Sequence, residues 1–145
     1  RIVAATIDPE GRRIEAPRPE PVTVVSPETA RQLRTMLTAV TQNVNGQRGT
    51  GVEAAVPGYQ VAGKTGTAQQ VDPECRCYST STYWITFAGM LPADAPRYVI
   101  GIVLDAPRGA TGAAALFSDI ASYLAQREQL PVSVDPAPVQ TLVVP

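Results

Sequence analysis

The stretch Val61-Ala62-Gly63-Lys64-Thr65-Gly66-Thr67-Ala68-Gln69 decides how this chain is interpreted. Lys64 is its only lysine, and the other eleven of the 12 cationic side chains are arginines. An ammonium is a compact point charge with three donors, whereas a guanidinium is a fixed planar fork. One ammonium kept between glycines and hydroxyls therefore indicates a site that binds a phosphate or a carboxylate.

The composition limits the classes of function. A chain of 145 residues suits one domain or a large piece of one, and its 44% hydrophobic content can form a core. The net charge of −1, with scattered charges, offers no basic surface for nucleic acid. No apolar stretch approaches the roughly 20 residues of a membrane span. The absence of histidine removes the commonest general base and metal ligand. The chain begins at Arg1 without a methionine, which we interpret as a cut or processed end.

The two cysteines, Cys75 and Cys77, are separated by one residue. Two thiolates are too few for a structural zinc site, and the spacing differs from the redox C-x-x-C pattern. Two interpretations stay open: free cysteines in a loop, or a tight local disulfide. A disulfide would favour an oxidising compartment.

Local patterns predict an α+β fold in which an antiparallel sheet is covered by helices. Ser26-Pro27-Glu28 is typical of a helix start, with a capping serine and proline at the first helical position. Asn45-Gly46 is predicted to end this helix. In chain order, the predicted elements are a hairpin over 2–14, a proline connector over 17–21, the helix over 26–44, strands over 59–70, 83–90 and 98–104, and a helix over 113–128. Loops are predicted over 72–82 and 109–112.

The sequence around Lys64 matches the motif of a phosphate-binding loop. Residues 58–65 match G-x-x-x-x-G-K-[ST]. Such a loop must open a helix directly after Lys-Thr, because the phosphates bind at that helix N-terminus. Here Gly66 follows, no helical period appears, and Pro73 arrives within nine residues. The nucleotide-binding alternative is therefore disfavoured, and binding of ATP with magnesium tests it.

A K-T-G strand at a sheet edge fits the same residues better. Thr65 and Thr67 lie two residues apart, so their hydroxyls project to one side of a strand and can bind a carboxylate. Lys64 adds positive charge beside them. Gly66 leaves room for a substrate backbone along the strand. A free backbone N–H on such a strand can form half of an oxyanion hole.

Residues 57–69 resemble the K-T-G-T strand of class B penicillin-binding proteins, the D,D-transpeptidases that cross-link peptidoglycan. The resemblance runs in order through residues 22–128 and favours the division-specific type. Its further segments are 49–51, 87–92, 96–99, 105–107 and the helix over 113–128. It implies that residues 1–130 are the C-terminal portion of a transpeptidase domain. Residues 131–145 form a proline-rich tail that we expect to be poorly ordered.

The resemblance also implies roles and partners. Lys64 joins the motif network, Thr65 and Thr67 bind the terminal carboxylate of a D-Ala-D-Ala stem peptide or a β-lactam, and Gly66 accommodates the substrate. The Thr67 N–H would be one oxyanion donor. The mechanism implied needs no metal or cofactor. Expected partners are stem peptides, β-lactams and divisome proteins, at the extracytoplasmic face of a membrane that an upstream helix anchors.

Two of the three family motifs are missing from this chain. Val61 stands where the lysine would need the serine of S-x-x-K, and no S-x-N occurs. Both motifs lie upstream of K-T-G-T in the family, so a further expected partner is the remainder of the transpeptidase domain. We therefore predict an open strand edge at Lys64, a chain that is unstable alone, and no acylation of it. The alternative is a non-catalytic module that binds cell-wall peptide or a division partner.

Overall fold

The computed structural model describes residues 3–44, 46–107 and 112–133. Short 3-10 turns follow α1 at Ala39–Thr41 and precede β5 at Val52–Ala54. The helices and strands, in chain order, are β1 (Ala5–Ile7), β2 (Arg13–Glu15), α1 (Pro27–Thr38), β3 (Asn43–Val44), β4 (Gln47–Arg48), β5 (Ala62–Asp72), β6 (Cys77–Leu91), β7 (Tyr98–Pro107) and α2 (Ala113–Arg127).

The main sheet contains three antiparallel strands in the order β5-β6-β7. Gly66 pairs with Thr86 across the first interface, and Thr86 pairs with Val103 across the second. Within the described ranges, β5 and β7 each have a neighbour on one side only. The predicted α+β class with an antiparallel sheet is confirmed, and the strand that carries Lys64 lies at an edge.

The core lies between this sheet and α2. Phe87 on β6 and Phe117 on α2 are fully buried and meet edge to face, with ring centroids 4.9 Å apart. Such a pair contributes about 0.5–1.5 kcal/mol beyond the area it buries. Side chains that alternate with Phe87 and its neighbours project to the other face of the sheet. There Val99 and Val103 keep 77% and 65% of their surface exposed, so the β7 side of this second face is apolar and bare, whereas Ala62 on β5 is fully buried.

Helix α1 begins as predicted but ends earlier. The Ser26 hydroxyl accepts a hydrogen bond from the Thr29 N–H at 3.1 Å, which caps the first turn. The predicted extension to residue 44 is wrong, because the chain leaves the helix after Thr38 and forms the small β3–β4 hairpin. Gly46, with φ of 78°, serves this hairpin turn and not a helix end. Thr41, buried, donates its hydroxyl to the Val61 carbonyl at 2.8 Å and so ties this segment to β5.

The hairpin between β5 and β6 is longer than predicted. The polar loop predicted over 72–82 is confirmed only for the turn at 73–76, because β6 begins at Cys77, which pairs with Asp72. The turn is tightened by the Asp72 carboxylate, which accepts from the Glu74 N–H at 2.8 Å. Cys75 and Cys77 form a disulfide, which is one of the two alternatives that the spacing left open.

The segment after α2 is attached to the segment before β5. The Ser133 N–H donates to the Gly58 carbonyl at 2.9 Å, and the Tyr59 hydroxyl donates to the Leu130 carbonyl at 2.7 Å. These contacts run past the predicted boundary at residue 130. The rest of the predicted tail, 134–145, and the predicted loop at 109–111 lie outside the described residues. In the part of the chain that is described, neither helix has the length and apolar character needed to cross a membrane.

Candidate functional site

Lys64, Thr65, Gly66 and Thr67 lie together in the middle of β5. The Lys64 side chain is exposed and bends around the open edge of the strand, so that its ammonium donates to the Thr65 carbonyl at 2.8 Å and to the Thr65 hydroxyl at 3.3 Å. The chain continues after Lys64 as strand and not as helix. A phosphate-binding loop over 58–65 is therefore excluded, because no helix N-terminus follows the lysine.

The two threonines share a face of the sheet. Thr65 pairs with Phe87 and Thr67 with Ile85, which places both threonine side chains on the side of the sheet that α2 covers. Thr67 is exposed and Thr65 is partly exposed. Lys64 thus places its ammonium on the Thr65 hydroxyl, and Thr67 projects from the same face of the sheet two residues further along the strand. This grouping can bind a carboxylate by charge and by charge-assisted hydrogen bonds.

The Thr50 hydroxyl, which the sequence analysis did not identify as a site residue, is hydrogen-bonded to Thr65. The Thr50 and Thr65 side-chain oxygens lie 3.0 Å apart. The loop that carries Thr50 is fixed from behind, since the Gly51 N–H donates to the Val40 carbonyl at 2.9 Å. A Cβ atom on Gly49 would lie 2.2 Å from that same carbonyl oxygen, so only glycine allows the loop to come this close. The signal in the sequence is the pair of glycines that flank Thr50.

The hydrogen bonds around Thr65 determine where its own hydrogen can go. Its oxygen accepts from the Lys64 ammonium, and an ammonium has no lone pair with which to accept in return. When Thr50 also donates, the Thr65 hydrogen is free to be donated to a ligand. With Thr50 as the donor, the pair leaves Thr65 able to donate its own hydrogen at the strand edge.

A cavity of about 540 Å³ opens beside these residues. Its walls come from β5, from β6, from the loop with Thr50 and from the N-terminal turn of α2. Arg48 at its rim is paired with Glu53, with 2.5 Å between nitrogen and oxygen. Lys64 makes no ion pair with any described residue, so it is the cation left to neutralise an anionic ligand. The cavity is lined by a set of residues that includes Arg48, Thr50, Glu53, Thr65, Gly66, Thr67 and Thr86.

Among the described residues, no serine is hydrogen-bonded to Lys64 or Thr65. The side-chain hydroxyls hydrogen-bonded to these two residues within the described ranges belong to threonines. Of the described serines, Ser118 donates its hydroxyl to the Ala55 carbonyl. The arrangement of Lys64 and the threonines is suited to bind an anionic ligand.

Comparisons with known proteins agree with this geometry. The family model described as the penicillin binding protein transpeptidase domain matches residues 1–122. The penicillin-binding protein PbpB of Mycolicibacterium smegmatis is 55% identical over 150 residues, which cover 98% of this chain and 23% of that protein. PbpB of Mycobacterium tuberculosis is 56% identical over 146 residues, covering 95% of this chain and 22% of that protein.

More distant relatives and solved structures show the same likeness. A probable peptidoglycan D,D-transpeptidase FtsI of Caulobacter vibrioides is 38% identical over 96 residues, with 63% of this chain and 16% of that protein covered. The crystal structure of penicillin binding protein 3 from Mycobacterium tuberculosis complexed with ampicillin matches with 55% identity and a TM-score of 0.78. That match covers 94% of this chain and 32% of the solved chain. The chain thus spans about a quarter of the length of the PbpB relatives that it matches.

Proposed function

Because the chain belongs to the penicillin-binding protein transpeptidase family, we propose that it supplies the K-T-G-T substrate-binding strand of a peptidoglycan D,D-transpeptidase. The observation that carries the proposal is the edge strand β5, where the Lys64 ammonium contacts the Thr65 hydroxyl and Thr67 projects from the same face as Thr65. Residues 1–130 are then the C-terminal portion of the transpeptidase domain. The substrate is a stem peptide that ends in D-Ala-D-Ala.

In this proposal the two threonines bind the terminal carboxylate of the substrate. Thr65 and Thr67 donate their hydroxyl hydrogens, and the Lys64 ammonium supplies the opposite charge. A β-lactam carries a carboxylate at the corresponding position and binds in the same way. Gly66 lies between the two threonines, so the backbone of the strand is accessible there.

The Thr67 N–H is proposed as one donor of the oxyanion hole. In an antiparallel ladder the N–H and C=O of one residue point to the same side, and successive residues alternate between the two sides. The Thr65 carbonyl accepts from the side chain of Lys64, which bends around the open edge, and this indicates that it faces outward. By alternation the Thr67 N–H faces outward as well, where it can donate to the developing oxyanion.

The nucleophile is a serine in the upstream remainder of the domain. Its oxygen attacks the carbonyl carbon of the D-Ala-D-Ala bond and passes its proton to a neighbouring base. The bond to the terminal residue breaks, D-Ala leaves as the amine, and a serine ester remains. An amine of a second stem peptide attacks this ester, forms the cross-link and restores the serine hydroxyl. A β-lactam acylates the same serine by ring opening, so no leaving group departs and the ester persists.

The cellular setting follows from the same proposal. The similarity to PbpB and to FtsI favours a role in cell division, with divisome proteins as partners. The transpeptidase domain would lie at the extracytoplasmic face of the membrane, and a helix upstream of this chain would anchor it. The disulfide between Cys75 and Cys77 supports an oxidising location.

Labelling with a fluorescent penicillin tests the proposed function. We expect the full-length protein to be labelled covalently, with the label on a serine upstream of this chain, and unlabelled ampicillin to compete. The 145-residue chain alone should take up no label. A label mapped to a residue of this chain contradicts the proposal. A full-length protein without label favours a non-catalytic module that binds cell-wall peptide or a division partner.

The contact of Thr50 with Thr65 gives a second prediction. Thr50→Val in the full-length protein keeps the shape but removes the hydroxyl, so Thr65 loses one hydrogen-bond partner. A lost hydrogen bond of this kind corresponds to about 1 kcal/mol, or roughly fivefold weaker β-lactam binding before acylation. Thr50→Ser retains the hydroxyl and is the matched control. The concentration dependence of acylation measures the effect, and an unchanged half-saturation for Thr50→Val would show that Thr50 does not orient Thr65.

A further inference from the structure

Gly66 lies directly opposite Thr86 in the ladder between β5 and β6. A Cβ atom placed on Gly66 would lie 2.4 Å from the Thr86 hydroxyl oxygen and 3.7 Å from the Thr86 Cβ. Contacts of Cβ atoms below 3.0 Å are essentially never seen in proteins. The hydroxyl of Thr86 therefore fills the space that a side chain at position 66 would need.

The backbone conformation of Gly66 does not explain why it is glycine. The described glycines with positive φ are Gly11, Gly46, Gly58 and Gly112. Gly66 instead lies in regular ladder pairing, where any residue could adopt its dihedral angles. Two explanations remain: room for the substrate, or room for Thr86.

The backbone of Thr86 cannot easily move away from Gly66, so relief of the contact by Thr86 itself requires rotation of its hydroxyl. Its neighbours in β6 are Ile85, which packs against the core, and the fully buried Phe87. On its other side it pairs with Val103 of β7. The backbone at Thr86 is thus held between two strands and the core. Its hydroxyl has no hydrogen-bond partner among the described residues, and Thr86 lines the same cavity as Thr65 and Thr67.

We propose that Thr86 is a positioning residue for the K-T-G-T strand, and that Gly66 is glycine because Thr86 occupies the space above it. A side chain at position 66 would have to displace the Thr86 hydroxyl, and where Thr86 keeps its rotamer it would push β5 away from β6 at the point midway between Thr65 and Thr67. The hydroxyls that bind the carboxylate would then move relative to the nucleophile. A displacement of about 1 Å at such groups can slow a reaction by about a hundredfold.

A double-mutant cycle in the full-length protein tests this pairing. We expect Gly66→Ala to slow β-lactam acylation by about tenfold and to lower the melting temperature, as overpacking does. Thr86→Ala alone should slow acylation by about two- to threefold, and the double variant G66A/T86A should return to that rate because the two sites are directly coupled. Thr86→Val keeps the bulk without the hydroxyl, so G66A/T86V should stay as slow as G66A. G66A/T86V is therefore the matched control, because it changes Thr86 without freeing the space beside position 66.

The outcomes separate the two explanations. If G66A/T86A is as slow as G66A, the substrate excludes the side chain and the proposal is overturned. A G66A protein that reacts at the original rate overturns it too. The acylation rates can be measured only if the proposed function is correct, whereas the melting temperatures can be measured in either case. If the unmodified protein takes up no β-lactam, recovery of the melting temperature in G66A/T86A still tests the pairing of Gly66 with Thr86.

Discussion

Lys64→Ala in the full-length protein is expected to slow acylation by a β-lactam by about a hundred- to a thousandfold, which is typical for removing one electrostatic contact at a reacting centre. The ammonium of Lys64 donates to both the carbonyl and the hydroxyl of Thr65. Loss of Lys64 removes the positive charge that would neutralise the substrate carboxylate. It also removes a hydrogen-bond donor to the Thr65 oxygen, which helps to keep the Thr65 hydrogen available for the substrate. We therefore expect both weaker binding and slower acylation.

Lys64→Arg is the matched control for charge. A guanidinium keeps the positive charge but presents a planar fork, which cannot reproduce both contacts with Thr65. We expect this variant to recover most of the binding and little of the rate. Stopped-flow measurement of a fluorescent penicillin separates the two quantities. If Lys64→Ala reacts within about threefold of the unmodified protein, a lost stabilisation below about 0.7 kcal/mol, Lys64 has no role in the reaction.

The strand that carries the site could be predicted from the sequence because its signal is local. The glycines, the hydroxyls and Pro73 exclude a helix after Lys64, and β-branched and aromatic residues mark the next two strands. The end of α1 could not be predicted in the same way. The apolar spacing of Val40 and Val44 fits a helix, but pairing in the β3–β4 hairpin overrides that local preference.

The contacts of Thr50 and Thr86 could not be predicted from local sequence signals, because they join residues that are distant in the chain. Thr50 and Thr65 are 15 residues apart, and their approach depends on a loop that packs against the end of α1. Thr86 meets Gly66 only in one register of the β5–β6 hairpin, and that hairpin contains a bulge and a disulfide. Because a shift by one residue moves each side chain to the other face, the register has to be known before such a pair can be recognised.

In our proposal, the remainder of the domain packs against the exposed apolar surfaces of this chain. Val99 and Val103 are exposed on the uncovered face of the sheet, and the apolar stripe of α1 leaves Leu33 and Met36 47% and 51% exposed. Within the described ranges, β5 and β7 also present open edges. Open strand edges and contiguous apolar surface promote association between chains. A monomeric protein rarely keeps such a surface uncovered.

The chain alone is therefore expected to aggregate or to unfold without a cooperative transition. Size-exclusion chromatography and thermal unfolding followed by circular dichroism measure this, and co-expression with the upstream part of the domain should restore one soluble, cooperative species. A monomeric chain with a sharp transition at neutral pH would contradict the expectation. In that case the bare face would be stable in water without a covering segment.

A charged substitution on the exposed β7 side of the sheet should help the isolated chain stay soluble but destabilise the full-length protein. In the isolated chain, Val103→Lys replaces exposed apolar surface by charge and is expected to increase the soluble fraction. In the full-length protein the same lysine would be buried without a partner, because the upstream part of the domain covers this face in our proposal. We expect its melting temperature to fall by at least about 5 °C, or about 2 kcal/mol for a domain of 150–250 residues. Glu74→Lys, on the exposed turn of the β5–β6 hairpin, is the control and should leave both properties unchanged. An effect of the same sign in both settings would place the covering segment on another face of the sheet.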